Sequence, residues 1–301
     1  AQFNPDCFKN IGYSVFETNR IPYTWVIPSN KMDAICVPCS QNRDAFIETG
    51  VTKPVYIVPH GVTQNMNSDV KPLSMFEDKT NFLFLGTPQH RKGIDIAINS
   101  YLLEFGNQND TRLICKIYLE SVGFDQELDR VKKIIKECRN GLGKHGGEIV
   151  LIPHYINEDK LYRLYASSSA LLLCSRGEGW GFAGSEAAAC GVPVIATNWS
   201  GPADYLNNEI AYMVDYQMVP VSNMQFNPQF MLAQMEGHLW AEPSIEKIRS
   251  YMREIYNNPA KAKQKGLLAS KYMQENFSWE NSGKKLIEVI EKVYNSNLVG
   301  V

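Results

Sequence analysis

Short apolar runs alternate with longer amphipathic segments along most of the chain. Runs such as A-I-C-V at residues 34–37 and N-F-L-F-L at residues 81–85 are typical of buried strands, whereas apolar residues recur at helical spacing across residues 94–105. Strands that alternate with helices in this way indicate a layered α/β protein with parallel sheets.

Most of the chain can be assigned to strands and helices on this pattern. The predicted strands are residues 11–18, 34–37, 55–58, 81–85, 112–119, 148–152, 170–174, 192–197 and 211–214. The predicted helices are residues 40–48, 94–105, 124–139, 159–166, 244–257, 259–274 and 279–294. Residues 63–80 are polar and are predicted to form a linker. Residues 216–243 are rich in Met, Gln and Pro and are predicted to be irregular.

The strand–helix steps between residues 81 and 214 predict a doubly wound sheet. Ligands of such sheets bind beyond the carboxyl ends of the strands. Glycine-containing loops at residues 86–93, 177–184 and 198–201 each follow a predicted strand. We therefore expect these loops to meet at one edge of the sheet.

Residues 170–191 carry the strongest signal for a ligand. An apolar run leads into a turn with four glycines between residues 177 and 184, and S-E-A-A-A then favours a helix. A helix that starts near Gly184 presents unpaired N–H groups and a partial positive charge, which suits a phosphate. Glu178 lies in the turn, and Glu186 is expected in the first helical turn. Such loops also occur where no ligand binds, and Glu186 could serve only the helix dipole, so both interpretations stay open.

Composition and charge narrow the class of protein. The chain has 301 residues, of which 44% are apolar and 21% are charged, and its net charge is −2. These values are typical of a globular protein of about two domains and argue against a nucleic-acid-binding protein. No apolar run approaches the ~20 residues that span a bilayer, and no basic-then-apolar leader pattern opens the sequence.

Cysteine usage favours a cytoplasmic protein with reduced thiols. The seven cysteines are scattered, and several of them fall in apolar runs. Cys36 and Cys39 form a lone C-x-x-C, without the second pair that a zinc site needs. We therefore expect neither a redox motif nor a metal site.

Two further places could carry chemistry. Arg91 and Lys92 lie between a predicted strand and a helix, where they could neutralise a phosphate or form only a solvated pair. His154 and Tyr155 follow another strand at the expected ligand edge, although a lone histidine is more often structural. His60, in P-H-G-V, is interpreted as a hinge or cleft residue rather than a base.

The spacing Glu-x7-Glu, with E-G-x-G-F between residues 178 and 182, resembles the signature of retaining GT-B glycosyltransferases of family 4. The resemblance runs from about residue 10 to residue 295 and includes, in order, K-G, Glu-x7-Glu, S-G-P and W-x-E-P. It implies two Rossmann-like parallel-sheet domains that face a cleft, the first one reduced or incomplete. The implied limits are residues 1–77 for the N-terminal domain with its linker, 78–277 for the donor domain and 278–301 for a helix that crosses back.

The resemblance also implies roles for individual residues. Glu178 would contact hydroxyls of the donor sugar, and Glu186 would hold the ribose. Lys92, in R-K-G, would grip the diphosphate. Arg91 would assist it, in place of the arginine that many members of the family carry where this chain has Thr87. The residues implied as catalytic are Arg91, Lys92 and Glu178. The residues implied as donor-binding are Thr87, His154, Tyr155, Gly179, Gly181, Phe182, Ala183, Gly184, Glu186 and Ser200.

The implied activity is transfer of a sugar from a nucleoside-diphosphate sugar, with UDP or GDP as the nucleotide, to an acceptor hydroxyl. The acceptor would be a glycan, a lipid or a small molecule, and a lipid-linked acceptor would bring the protein to a membrane surface. The implied reaction retains the anomeric configuration and needs neither a metal nor a further cofactor. A non-catalytic nucleotide-sugar or glycan-binding module and a GT-B nucleotide-sugar epimerase remain alternatives. A glycosidase is disfavoured because both carboxylates come from one loop–helix segment.

Overall fold

The computed structural model describes residues 3–119, 124–143, 146–222 and 235–295. These residues form two parallel sheets, each with its own core. The N-terminal sheet has the order β1-β2-β3. Its strands are β1 (Ile11–Tyr13), β2 (Ala34–Val37) and β3 (Val55–Ile57).

The second sheet is doubly wound, as the sequence predicts. Its strands are β4 (Thr80–Gly86), β5 (Thr111–Ile117), β6 (Glu148–Ile152), β7 (Ala170–Leu173), β8 (Val194–Thr197) and β9 (Tyr212–Val214). All neighbours pair in parallel in the order β6-β5-β4-β7-β8-β9. The chain reverses its direction of winding between β4 and β7, and a crevice for ligands opens at such a switch point.

Helices cover both faces of the second sheet. The helices on the N-terminal sheet are α1 (Val26–Lys31) and α2 (Ser40–Thr49). Those that follow are α3 (Ile94–Phe105), α4 (Phe124–Leu142), α5 (Glu158–Ala166), α6 (Phe182–Ala189), α7 (Gly201–Tyr205), α8 (Ile245–Asn257), α9 (Pro259–Asn276) and α10 (Trp279–Asn295). Ile96 of α3, Val131 of α4 and Met252 of α8 share the core on one face. Leu164 of α5 and Met273 of α9 join the core on the other face, with the alanines of α6.

The last helix returns to the N-terminal sheet. Val289 and Val293 of α10 are buried against Ala34 and Cys36 of β2. The chain passes between the two sheets at residues 62 and 278, which form an isolated parallel bridge. Two connections therefore join the domains, while the exact domain limits given above remain predictions.

The segment 216–243 is not wholly irregular, and that prediction was wrong at both of its ends. Two strands, β10 (Tyr216–Pro220) and β11 (Leu239–Pro243), pair antiparallel, with Met218 opposite Ala241. Residues 223–234 between them lie outside the described residues. The pairing was missed because the chain alternates polar and apolar residues only over a few positions, and prolines obscure the strand ends.

The predicted strand 11–18 is too long, since β1 ends at Tyr13. Asn42, a fully buried residue of α2, forms hydrogen bonds with both the N–H and the carbonyl of Phe16. Phe16 N–H donates to Asn42 Oδ1 at 2.8 Å, and Asn42 Nδ2 donates to Phe16 O at 2.9 Å. The Phe16 backbone therefore pairs with a side chain of α2 instead of a neighbouring strand, and the Phe16 ring packs in the core of the N-terminal domain.

Among the helices that the structure describes, none is long and apolar enough to cross a membrane.

Candidate active site

The loop after β7 turns sharply into helix α6. Gly181 precedes the helix with a φ of +90°, a left-handed conformation that glycine adopts without strain. Helix α6 begins at Phe182, earlier than expected, so the prediction that Glu186 lies in the first helical turn was wrong. The helix starts early because the left-handed Gly181, rather than the serine further on, forms its N-cap.

The N-terminus of α6 offers unpaired donors at the edge of the switch point. The N–H groups of Gly184 and Ser185 turn back to Gly181 O at 2.9 and 3.3 Å. The N–H groups of Phe182 and Ala183 have no acceptor within the helix. Gly184 is packed beneath Leu173 and Tyr205, where a Cβ would overlap their side chains. The first two amides of α6 are therefore the ones available to an anion.

Lys92 and Glu178 come from neighbouring strand ends and form a close ion pair. Lys92 Nζ donates to both carboxylate oxygens of Glu178 at 2.8 Å. Ser175 Oγ donates to Glu178 Oε1 at 2.6 Å, and Arg91 Nη1 lies 3.6 Å from Glu178 Oε2. The sequence expectation that the loops after β4 and β7 meet at one edge is confirmed by these contacts.

The environment of Glu178 keeps its carboxylate ionised. Only 5% of the residue is exposed, and this burial by itself raises the pKa. The charges of Lys92 and Arg91, with the hydrogen bonds from Lys92 and Ser175, outweigh burial and hold the pKa of Glu178 below its usual value. A buried anion that is held by two cations is characteristic of functional sites as well as of structural ion pairs.

The N-terminal domain reaches into this site through residues 14–19. Arg91 Nη1 donates to Gly177 O at 2.7 Å, and Arg91 Nη2 lies 3.4 Å from Glu17 Oε1. A Cβ on Gly177 would overlap Glu17 O, and a Cβ on Gly179 would press on the Val15 side chain. These two glycines therefore allow close contact between the domains.

Ser200 fixes the loop of Glu178 from the third glycine-containing turn. The Glu178 N–H donates to Ser200 Oγ at 3.1 Å, and Gly201 N–H donates to Glu178 O at 3.2 Å. Ser200 has a φ of +59°, which is rare outside glycine. Its hydroxyl serves the Glu178 loop and does not cap α7.

Glu186 lies further along α6, where its environment differs from that of Glu178. Tyr165 Oη donates to Glu186 Oε2 at 2.8 Å from a fully buried ring. Burial raises the pKa of Glu186, and this effect exceeds the opposing effect of the Tyr165 hydrogen bond. The other carboxylate oxygen keeps capacity to accept a hydrogen bond from a ligand hydroxyl.

Three further predicted site residues follow the ends of β6 and β4. Tyr155 is 86% exposed, and the exposed His154 ring stacks on Phe124 at a centroid distance of 5.6 Å. At the end of β4, Thr87 Oγ1 is buried and has no hydrogen-bond partner among the described residues. His154 and Tyr155 thus lie at the same sheet edge as Lys92, but two strands away from β4.

An aromatic group lines the junction of the two domains. The His60 ring lies 4.8 Å from the Phe182 ring, 5.5 Å from Tyr13 and 5.9 Å from Trp279, measured between centroids. Burial lowers the pKa of His60, so the imidazole is neutral near pH 7. This placement agrees with its interpretation as a cleft residue.

Glu17, Ser175 and Tyr165 belong to the site but were not singled out from the sequence. Glu17 was assigned to the predicted strand 11–18, and Tyr165 falls in the predicted helix 159–166, to which no site role was given. Glu17 and Tyr165 contact the site through Arg91 and Glu186, far away in sequence, whereas Ser175 lies only three residues before Glu178, in a position that no local pattern marks as functional.

The fold and the site define a class of protein. Sucrose-phosphate synthase from Thermosynechococcus elongatus superimposes with a TM-score of 0.67 at 18% identity, covering 91% of this chain and 62% of that one. Anabaena HepE, solved in complex with UDP and glucose, superimposes with a TM-score of 0.68 at 12% identity, covering 89% and 66%. The chain has the GT-B fold of these glycosyltransferases.

The sequence defines the family within that class. The profile described as "Family 4 Glycosyltransferase in conflict systems" matches residues 40–286. An uncharacterized glycosyltransferase of Methanocaldococcus jannaschii is 22% identical over 234 residues, which is 77% of this chain and 50% of the relative. The chain belongs to the family 4 glycosyltransferases, and it spans half the length of this relative.

Proposed function

We propose that this protein transfers a sugar from a nucleoside-diphosphate sugar to an acceptor hydroxyl, with retention of the anomeric configuration and without a metal ion. One observation carries the proposal. Arg91, Lys92, Glu178 and the N-terminus of α6 converge at the switch point of the sheet, with Glu186 on the same helix. Cations and helix amides suit a diphosphate, and carboxylates suit hydroxyl groups. The HepE complexes, which contain UDP, glucose or UDP-glucose, support UDP as the first nucleotide to test.

The leaving diphosphate is the group that these residues would stabilise. As the bond between the anomeric carbon and the diphosphate oxygen breaks, negative charge develops on the phosphate. Lys92 Nζ, Arg91 and the N–H groups of Phe182 and Ala183 would interact more strongly with that charge than with the intact donor. Preorganised donors aimed at developing charge are commonly the largest contribution to catalysis.

Glu178 and Glu186 would orient the two ends of the donor. Glu186 would accept from the ribose hydroxyls, and Glu178 would accept from hydroxyls of the transferred sugar. The acceptor oxygen then attacks the face from which the diphosphate departs, and the diphosphate takes the acceptor proton. The new bond therefore has the configuration of the old one.

Metal independence follows in this proposal from the positive groups of the chain itself. Many glycosyl transfers need a cation that neutralises the diphosphate. Two cationic side chains and a helix N-terminus supply that charge here. The reaction would thus proceed equally well in EDTA and in Mg²⁺.

Turnover is the test of the proposal. The protein is incubated with the glucose forms of UDP, GDP and ADP and a panel of sugar and lipid acceptors, and release of free nucleoside diphosphate is followed. Release that depends on an acceptor, persists in EDTA and yields a product with the donor's anomeric configuration by NMR supports every part. Glu48→Gln, an exposed change on α2, serves as the control, and Lys92→Ala should lose the release. A product of inverted configuration, or a requirement for Mg²⁺, contradicts the corresponding part.

One observation favours a binding module as the second candidate. Both oxygens of Glu178 are already occupied by Lys92 and Ser175, and residues 14–19 of the other domain cover its loop. A sugar reaches Glu178 only after these contacts rearrange. Tight nucleotide-sugar binding without any release of diphosphate, with every acceptor tried, would favour this second candidate.

A further inference from the structure

A second charge cluster surrounds the buried Arg176, next to the turn that carries Arg91 and Lys92. The Arg176 residue is only 3% exposed, and its guanidinium contacts two carboxylates on different elements. Arg176 Nη1 and Nη2 donate to the two oxygens of Asp95, in the first turn of α3, at 3.2 and 3.0 Å. Arg176 Nη2 donates to Glu242 Oε1 of β11 at 2.8 Å, and Nε donates to Glu242 Oε2. Both carboxylates are thus held through paired hydrogen bonds.

The same residue holds the turn that carries the cations. Arg176 Nη1 also donates to His90 O, and the Arg176 N–H donates to Arg91 O at 2.7 Å. His90, Arg91 and Lys92 form a single turn of 3-10 helix between β4 and α3. Arg176 therefore fixes the backbone on which both cationic side chains are mounted.

Arg176 is also linked to the loop that carries Glu178 and to the paired strands β10 and β11. Its chain neighbours are Ser175, which donates to Glu178, and Gly177, whose carbonyl accepts from Arg91. The Ala241 N–H of β11 donates to Arg176 O at 2.8 Å. Arg176 consequently connects three parts of the structure: the loop after β4, the loop after β7 and the strand pair β10–β11.

We propose that Arg176 is a positioning residue for the phosphate grip: it touches no substrate, and it holds the His90–Lys92 turn so that Arg91 and Lys92 meet the second phosphate of the donor, the one that carries the sugar. The proposal rests on the proposed function, because it assumes that those cations bind a diphosphate. Its reason is geometric. A guanidinium satisfies two carboxylates and a carbonyl at fixed angles, which an ammonium cannot do.

The rival explanation is that Arg176 only stabilises the fold. The chain offers a matched comparison in Arg112, another buried arginine with two carboxylate partners. Arg112 Nε donates to Glu148 at 2.8 Å, and Nη1 donates to Asp78 at 3.1 Å. It lies at the start of β5, on the edge of the same sheet that faces away from the site. Arg112→Lys therefore disturbs a similar network without touching the cations.

The test separates the terminal phosphate from the rest of the nucleotide. The affinities of the wild type, Arg176→Lys and Arg112→Lys for UDP and for UMP are measured by calorimetry at low ionic strength. We expect Arg176→Lys to weaken UDP binding about tenfold while UMP binding changes less than about twofold, since the loss of a charge-assisted network is confined to the second phosphate. Arg112→Lys should leave the ratio of the two affinities unchanged.

The outcomes are distinct. Equal weakening of UDP and UMP by Arg176→Lys, or no change in either, overturns the positioning role while the proposed function stands. If Arg176→Lys does not fold, Glu242→Gln is used instead, because it weakens the hydrogen bonds that Arg176 makes with β11. The ratio of UDP to UMP affinity must then still fall by about threefold. If the wild type binds no nucleotide, the proposed function fails, and the positioning role fails with it.

Discussion

Replacing Lys92 with methionine tests the ion pair at the centre of the site. Methionine keeps the length of the side chain and removes the ammonium group that donates to both oxygens of Glu178. Glu178, 5% exposed, would then keep only Ser175 at 2.6 Å and Arg91 at 3.6 Å. The variant thus leaves a buried carboxylate with one hydrogen bond and one more distant cation.

The expected loss of stability is about 2–3 kcal/mol at pH 7.5. Breaking a buried ion pair by removing one partner typically costs about 3–5 kcal/mol. We expect a smaller loss of stability than this because the Lys92 side chain is 24% exposed and Arg91 still offsets part of the charge of Glu178. Removing both partners in Lys92→Met/Glu178→Gln should restore most of the loss, since no buried charge then remains unpaired.

The stability deficit of Lys92→Met should depend on pH in a defined direction. In the wild type the pKa of Glu178 lies below its usual value, so the carboxylate contributes stability above about pH 4.5, which is lost as the pH falls through the folded-state pKa. Without Lys92, burial dominates and raises the pKa of Glu178. The carboxyl group then takes up a proton in mild acid, and the deficit of Lys92→Met should shrink between pH 7.5 and pH 5.

Urea unfolding, followed by tryptophan fluorescence at pH 7.5 and pH 5, measures all of these quantities. The reasoning is refuted if Lys92→Met costs less than about 0.5 kcal/mol at pH 7.5, the range of ordinary surface changes. It is equally refuted if the deficit grows toward pH 5, or if Glu178→Gln in the same chain fails to restore stability.

Three other predictions concern the two remaining carboxylates and a close contact between the domains. Glu186→Gln should weaken UDP binding about tenfold, and wild-type affinity should fall with decreasing pH as Glu186, whose pKa is raised by burial, is protonated; calorimetry at several pH values checks both. Glu17→Gln should tighten UDP binding about twofold to threefold because Arg91 loses a competing carboxylate, and weaker binding would argue against that competition. Gly177→Ala should separate residues 14–19 from the donor loop, since the new Cβ would overlap Glu17 O; faster proteolysis near residue 19 reports this, and unchanged cleavage speaks against it.

Much of the fold could be predicted because it depends on local patterns. The apolar runs of β2, β4, β5 and β7 are fully or almost fully buried, and period and composition are informative for such strands. The strands β10 and β11 were missed because polar and apolar residues alternate in them over only a few positions and prolines obscure their ends. The end of β1 was misplaced because Asn42, not the strand's own sequence, withdraws Phe16 from the sheet.

The site divides in the same way. The two glutamates and the Arg91-Lys92 pair could be singled out because each stands beside glycines that follow a strand. Glu17, Tyr165 and Arg176 could not, since their roles come from tertiary contacts with Arg91, Glu186 and Asp95. The residues around Arg176 do not predict that its partners lie in α3 and β11.

The most direct test of the central claim is a calorimetric titration of the protein with UDP, GDP and ADP, repeated with Lys92→Ala and Glu186→Ala. We expect the wild type to bind at least one of the three and each variant to weaken that binding by about tenfold or more. Arg112→Lys, on the opposite edge of the sheet, should bind like the wild type. Failure of the wild type to bind any of the three, or wild-type affinity in both Lys92→Ala and Glu186→Ala, would contradict the assignment of this site to a nucleoside-diphosphate sugar.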